Sequence, residues 1–274
     1  MLHPFLKGLA PTVHVSHRGG AALAPENTVP AFALAVREHA TQMLEIDLQV
    51  TSDGVLVVSH DPTVERCTNG TGEIASMTLA ELQELDAGYR FSRDGGRTFP
   101  FRGRGVRIPS LTEALRAFPG MRWNIELKAS DPGLENVFAD AVRRENALER
   151  VCCGSELDEM AERIWTAFPQ ACHFYPGNAL TAFVLAVRGE TTPPLDERFT
   201  VLDMPLEYLG VRLIDAALIE AARATGRWLN VWTVDDEAEM RTLVADGVGG
   251  IMTDRPDLLR RVLDQAASRR KGRK

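Results

Sequence analysis

Leu44-Glu45-Ile46-Asp47-Leu48-Gln49-Val50 decides the fold. The run reads as a strand, and its two acids stand two residues apart, so both point to one face. In a buried parallel strand that face is the inside of a barrel. Two carboxylates held there repel each other and lose hydration unless a cation joins them. Ligands that are all oxygen favour Mg²⁺ or Ca²⁺ over zinc. A salt-bridged pair on a solvated edge is the plainer alternative.

Just downstream, Asp53-Gly54 predicts a two-residue hairpin turn from which Val55 to Val58 returns. A turn of that length sets Asp47 across from His60. Upstream, Val13 to Ser16 is a short strand ending in His17-Arg18-Gly19-Gly20. Two glycines let the backbone turn sharply beside a ligand, and Arg18 offers a bidentate fork to phosphate. Further along, Asn124-Ile125-Glu126-Leu127-Lys128 repeats the two-apart geometry. Glu126 could complete a metal site and Lys128 could face a phosphate oxygen. A plain Glu–Lys surface pair fits the spacing as well. Trp232 closes the strand Leu229 to Trp232, where it serves either as core or as a surface for a carbon skeleton. Burying so many ionisable groups is expensive unless they are paired or bind something.

Strand and helix patterns alternate along most of the chain. Further strands are expected at Arg122 to Glu126, Val151 to Cys153, Ala171 to Phe174, Thr200 to Asp203, Trp228 to Thr233 and Gly249 to Met252. Helices fall between them, and the last runs from Arg255 to about Ala267. With the hairpin counted as one excursion, eight barrel strands result. The fold class is α/β, a TIM (β/α)₈ barrel whose strand C-termini converge on one face. Alternation breaks between Asp61 and Arg107, which reads as a small insertion after the second strand region. Within it Thr78 and Glu81 form a capping box, as do Ser110 and Glu113 just beyond. Six arginines make its Gly88–Arg107 stretch basic. Residues 1–268 are read as one domain. Thr253-Asp254 reads as the cap of the last helix.

The 274 residues are 45% hydrophobic and 25% charged, an ordinary globular composition. The net charge of −7 argues against a nucleic-acid partner. Five of the last six residues, Arg269 to Lys274, are basic, and 269–274 reads as a frayed, solvated end. No run approaches the about 20 apolar residues of a membrane helix, so no stable membrane insertion is expected. The N-terminus lacks a basic, apolar leader pattern, and a cytoplasmic location is expected. Cys67, Cys152, Cys153 and Cys172 read as reduced thiols rather than a disulfide framework or zinc site. Oligomeric state is not legible.

The chain resembles the glycerophosphodiester phosphodiesterase family. The strings that carry the resemblance run in the family's order. They are His17-Arg18-Gly19, Pro25-Glu26-Asn27-Thr28, Glu45-Ile46-Asp47, Ser59-His60-Asp61, Ile108-Pro109-Ser110-Leu111, Asn124 to Lys128, Trp232-Thr233-Val234 and Thr253-Asp254-Arg255-Pro256. The resemblance implies a TIM barrel, with one divalent cation, Mg²⁺ or Ca²⁺, held by Glu45, Asp47 and Glu126. It implies that His17 and His60 are the acid–base pair and that Arg18 and Lys128 contact phosphate. The implied reaction is hydrolysis of a small glycerophosphodiester to sn-glycerol 3-phosphate and an alcohol. Departures stand at Gly154-Ser155-Glu156, Arg223, Asp235 and Gly247 to Gly250, and none removes a proposed catalytic group. A phospholipase D-like enzyme acting on lysophospholipids would use the same residues and show an exposed apolar rim at Tyr89, Phe91, Phe99 and Phe101. A non-catalytic phosphate-binding barrel would lack a histidine or carboxylate, yet all are present.

Overall fold

The computed structural model describes residues 3–271. In chain order the first half contains β1 (Val13–Ser16), α1 (Val29–His39), β2 (Met43–Val50), β3 (Leu56–Val58), α2 (Leu79–Gln83), α3 (Leu111–Ala117), β4 (Arg122–Leu127) and α4 (Leu134–Arg144). The second half contains β5 (Val151–Gly154), α5 (Asp158–Ala167), β6 (Cys172–His173), α6 (Gly177–Arg188), β7 (Val201–Pro205), β8 (Glu207–Tyr208), β9 (Val211–Arg212) and α7 (Ala216–Ala224). It ends with β10 (Trp228–Trp232), α8 (Glu237–Asp246), β11 (Gly250–Thr253) and α9 (Pro256–Lys271).

Eight parallel strands follow one another as β6-β5-β4-β2-β1-β11-β10-β7. A single parallel bridge, Phe174 to Val201, closes the gap between β6 and β7. The result is a TIM barrel, as the strand pattern predicts. Its outer layer buries the strands' outward faces against the helices, with Phe32, Trp123 and Phe138 on one side and Phe183, Phe199 and Leu218 on the other. The lower interior is apolar: Val13, Val15, Met43, Cys152, Cys172, Val201 and Met252. A short turn, Pro4–Leu6, plugs that end with Phe5 and Leu6. Arg122 anchors the plug by donating to the carbonyls of Phe5 and Lys7.

The insertion packs on its own small cluster of Val57, Val64, Ile74, Leu82, Val106 and Ile108. Both capping boxes form, at Thr78 with Glu81 and at Ser110 with Glu113. The hairpin register differs from the expectation. Leu48 pairs with Val58 and Val50 with Leu56, so Asp47 stands opposite Ser59 rather than His60. Three residues, Ser52 to Gly54, make the loop. The Thr51 hydroxyl, bonded to Asp53 Oδ1 and the Val55 N–H, stabilises the longer turn. Only the first half of the expected frayed end, 269–274, falls among the described residues. α9 continues through Arg269 to Lys271, and residues 272–274 lie outside the described residues. All four cysteines are free thiols. No described helix is long and apolar enough to cross a membrane.

Candidate active site

The upper ends of β1, β2 and β4 build the mouth. Register sets Asp47 beside Glu126, and alternation puts Glu45 on the same interior face. Glu45 and Asp47 are only 7% and 2% exposed. Burial, reinforced by the Asp47 charge, raises the pKa of Glu45 well above the carboxylate range. Burial likewise pushes Glu126 up to about 7, against the pull of Lys128. Lys128 Nζ lies 2.7 Å from Glu126 and 3.7 Å from Asp47.

After β1 the chain turns through three left-handed residues, Arg18, Gly19 and Gly20, with φ of 49°, 83° and 96°. A Cβ on Gly19 would sit 2.7 Å from the Phe32 ring, and one on Gly20 2.7 Å from Pro256. The glycines therefore let α1 and α9 close on the turn. The Arg18 N–H donates to Glu45 Oε2 at 3.0 Å. Its guanidinium pairs with Glu26 at 3.1 Å, while Nε lies 3.3 Å from Asp47. Nε is buried and makes no hydrogen bond. Paired by charge with Asp47 but without a hydrogen bond, this buried donor is open to an incoming phosphate oxygen. Asn27 ties the turn down: its backbone N–H donates to the Arg18 carbonyl and its side-chain amide donates to Asp47.

Each site histidine has a carboxylate on Nδ1. His17 lies 2.7 Å from Asp254, and its Nε2 is 3.9 Å from Glu45. Burial opposes the imidazolium of His17, but Asp254 and Glu45 outweigh it and raise the pKa. His60 lies 2.8 Å from Asp61. Asp61 is held down to about 2, chiefly by the Arg66 guanidinium. Arg66 also forks onto Glu26 at 2.6 and 2.8 Å.

His17, Arg18, Glu45, Asp47, Glu126 and Lys128 thus meet directly. His60 joins them only through Asp61, Arg66 and Glu26 and does not face Asp47. Trp232 packs against the apolar filling of the barrel and makes no polar side-chain contact with this set. Asp254 corrects a sequence reading: Thr253 Oγ1 accepts from the Arg255 N–H at the helix start, while the Asp254 carboxylate holds His17. Glu26 and Arg66 had no role in the sequence reading. Glu26 lies in a string that marks the resemblance, whereas nothing local marks Arg66. The exposed apolar rim that a lysophospholipid-directed enzyme would show is not present at its candidate residues. Tyr89, Phe91, Phe99 and Phe101 are half-buried, with Arg102 stacked 4.1 Å from Tyr89 and 3.7 Å from Phe99.

Two buried, mutually repelling carboxylates form a donor set that fits a hard cation. Among the described residues, however, no three histidine, cysteine or acidic side chains stand arranged to hold one, and Glu126 is paired with Lys128.

A (β/α)₈ barrel whose mouth gathers carboxylate-held histidines beside an arginine and a lysine is built as an enzyme. The glycerophosphoryl diester phosphodiesterase family model matches residues 17–258, and the chain belongs to that family. It is similar to the glycerophosphodiester phosphodiesterase of Caldanaerobacter subterraneus subsp. tengcongensis, 32% identical over 260 residues that cover 90% of this chain and 96% of the relative. A Bacillus subtilis glycerophosphodiester phosphodiesterase is 29% identical, covering 90% of this chain and 85% of the relative. The crystal structure of glycerophosphodiester phosphodiesterase from Agrobacterium tumefaciens superposes with a TM-score of 0.71 at 29% identity, covering 91% of this chain and 99% of that one.

Proposed function

We propose that this enzyme hydrolyses glycerophosphodiesters to sn-glycerol 3-phosphate and an alcohol, with a divalent cation at Glu45, Asp47 and Glu126. The observation that carries the reading is the buried Arg18 guanidinium, ion-paired with Asp47 through an Nε that makes no hydrogen bond, at a mouth with two histidines each fixed by a carboxylate. Arg18 and Lys128 bind the phosphoryl oxygens and offset the charge that develops on them. Binding phosphate draws Lys128 from Glu126 and frees that carboxylate. The cation, when bound, supplies Lewis-acid stabilisation and lowers the repulsion between the buried acids. Asp254 and Asp61 hold the Nδ1 side of each imidazole, so each Nε2 is left to exchange a proton with substrate. One proton must leave the attacking oxygen and one must reach the departing alcohol, and the two histidines divide that work. The substrate is a small molecule, read on its glycerol side at the mouth where Trp232 offers an apolar face.

The test is release of sn-glycerol 3-phosphate from glycerophosphocholine by the purified full chain. Chelation should abolish turnover and Mg²⁺ or Ca²⁺ should restore it. Unchanged rates in metal-stripped protein remove the cation from the proposal. No release from any glycerophosphodiester, with either metal present, removes the reaction itself.

A further inference from the structure

Between Gly88 and Arg107 the insertion carries Arg90, Arg93, Arg97, Arg102, Arg104 and Arg107 against one acid, Asp94. The protein's net charge is −7, so this stretch opposes the rest of the surface. All six arginines are exposed. Among the described residues none forms an ion pair. Asp94 is occupied elsewhere: it accepts from the N–H groups of Arg97 and Thr98 and from the hydroxyls of Ser92 and Thr98.

Three of the six are nevertheless held in place, and by neutral partners. Arg90 donates to the Thr68 carbonyl at 3.1 Å and Arg102 to the Tyr89 carbonyl at 2.9 Å. Arg93 donates to the Leu23 carbonyl and lies over the Phe91 ring. Such contacts order a guanidinium without cancelling its charge. Arg66, outside the stretch, shows the opposite case, with a carboxylate on each side.

The location ties the patch to the mouth. The Leu23 N–H bonds the Gly20 carbonyl, and the Gly20 N–H bonds the His17 carbonyl. Arg93 therefore braces the loop that leaves the His17–Arg18 turn. Thr68, which Arg90 holds, lies two residues beyond Arg66. A cluster of ordered like charges beside an anion-processing mouth lacks only its counter-ion.

We propose that this patch is an anion subsite for the leaving alcohol, favouring glycerophosphodiesters whose alcohol carries a phosphate of its own. The inference rests on the phosphodiesterase reading and names the substrate class within it. Arg97 and Arg104 make no side-chain hydrogen bond among the described residues, so they can be exchanged without disturbing the fold.

The experiment compares kcat/KM for glycerophosphoinositol bearing a ring phosphate, for unphosphorylated glycerophosphoinositol and for glycerophosphocholine. Wild type and Arg97→Gln/Arg104→Gln are each assayed at low and high salt. At low salt the ring phosphate should raise wild-type kcat/KM by about tenfold or more, on the scale of a charge-assisted hydrogen bond, and mainly through KM. The double variant and high salt should each bring the ratio towards one. Equal kcat/KM with and without the ring phosphate overturns the inference, as does a preference that survives both the double substitution and high salt. If glycerophosphocholine is cleaved and no preference appears, only the subsite fails. If no diester is cleaved, the phosphodiesterase reading fails with it.

Discussion

The two ends of this barrel are made by the same strands and behave as two different solvents. β2 places Met43, Glu45 and Asp47 on its interior face, passing from an apolar plug to a charged mouth in four residues. β11 makes the same passage from Met252 to Asp254 just beyond it. Between the two ends Asp203 accepts from the amides of Asn124 and Asn230, and burial raises its pKa to about 6 despite both bonds. Below that layer burial stabilises, through Phe5, Leu6 and their neighbours. Above it burial destabilises, and the charges persist only because they neutralise one another. Changes at the mouth should therefore cost rate and spare stability, and changes at the plug should do the reverse.

The largest effect is expected at Asp47, which faces Arg18, Lys128 and Asn27. Asp47→Asn should lower kcat/KM by at least about 10³-fold, the scale of losing a charged stabiliser in a water-poor site. Its melting temperature should fall by less than that of a plug variant, because relief of the repulsion with Glu45 offsets part of the lost pairing with Arg18 and Lys128. A variant that melts much lower while keeping its rate breaks the contrast between the two ends.

Asp254→Asn comes next. It keeps the shape but withdraws the carboxylate from His17 Nδ1. The rate should fall by about 10²–10⁴-fold, the range of one acid–base group. Full activity with an altered helix start would return Asp254 to the capping role its sequence context suggests.

That misreading shows where sequence stops. The two-apart acids of β2 and the alternation of elements are local, so the barrel and most site residues were legible. The neighbouring of Asp47 and Glu126 is set by parallel register, which order along the chain implies once β2 and β4 pair. His60 was misplaced by one residue, because a Thr51–Asp53 side-chain bond lengthens the turn beyond what Asp-Gly alone signals. Arg66 reaches Glu26 across 40 residues, and no periodicity encodes such a bridge. Whether the insertion's aromatics form an exposed rim was open in the sequence, because a linear reading does not see Arg102 stacked on Tyr89 and Phe99. Pro4–Leu6 is too short for any pattern, yet it seals the barrel.

The plug supplies the third test. Phe5 is 1% exposed among the apolar residues of the lower barrel. Phe5→Ala should destabilise by about 3–5 kcal/mol, as emptied core sites do. The rate per folded molecule should stay near wild type. A drop in kcat at a temperature where the variant is fully folded would show that the two ends communicate.

The smallest effect concerns a third surface, the outside of β1. Val13 and Val15 face the interior, so His14 points outward, among His39, Arg260 and Asp264 on α1 and α9. It is 1% exposed, and neither ring nitrogen has a hydrogen-bond partner. Burial drives its pKa down from 6.5 to about 3. The sign follows directly: the folded protein holds His14 neutral, while the unfolded chain takes up a proton below 6.5. Its contribution is complete above pH 6.5 and is lost as pH falls towards 3. Each unit is worth about 1.4 kcal/mol, so at pH 4.5 the loss is about 2–3 kcal/mol. His14→Leu removes both unpartnered nitrogens, so at pH 7 stability should be unchanged or slightly higher. At pH 4.5 the variant should exceed wild type by most of that amount in urea unfolding, with no change in activity. The difference between the two proteins isolates His14 from the many carboxylates that titrate in the same range. Parallel stability curves from pH 7 to 4.5 would mean that His14 finds a partner or takes a proton in the folded state. A polar group buried outside the barrel would then be satisfied as fully as the paired charges of the mouth.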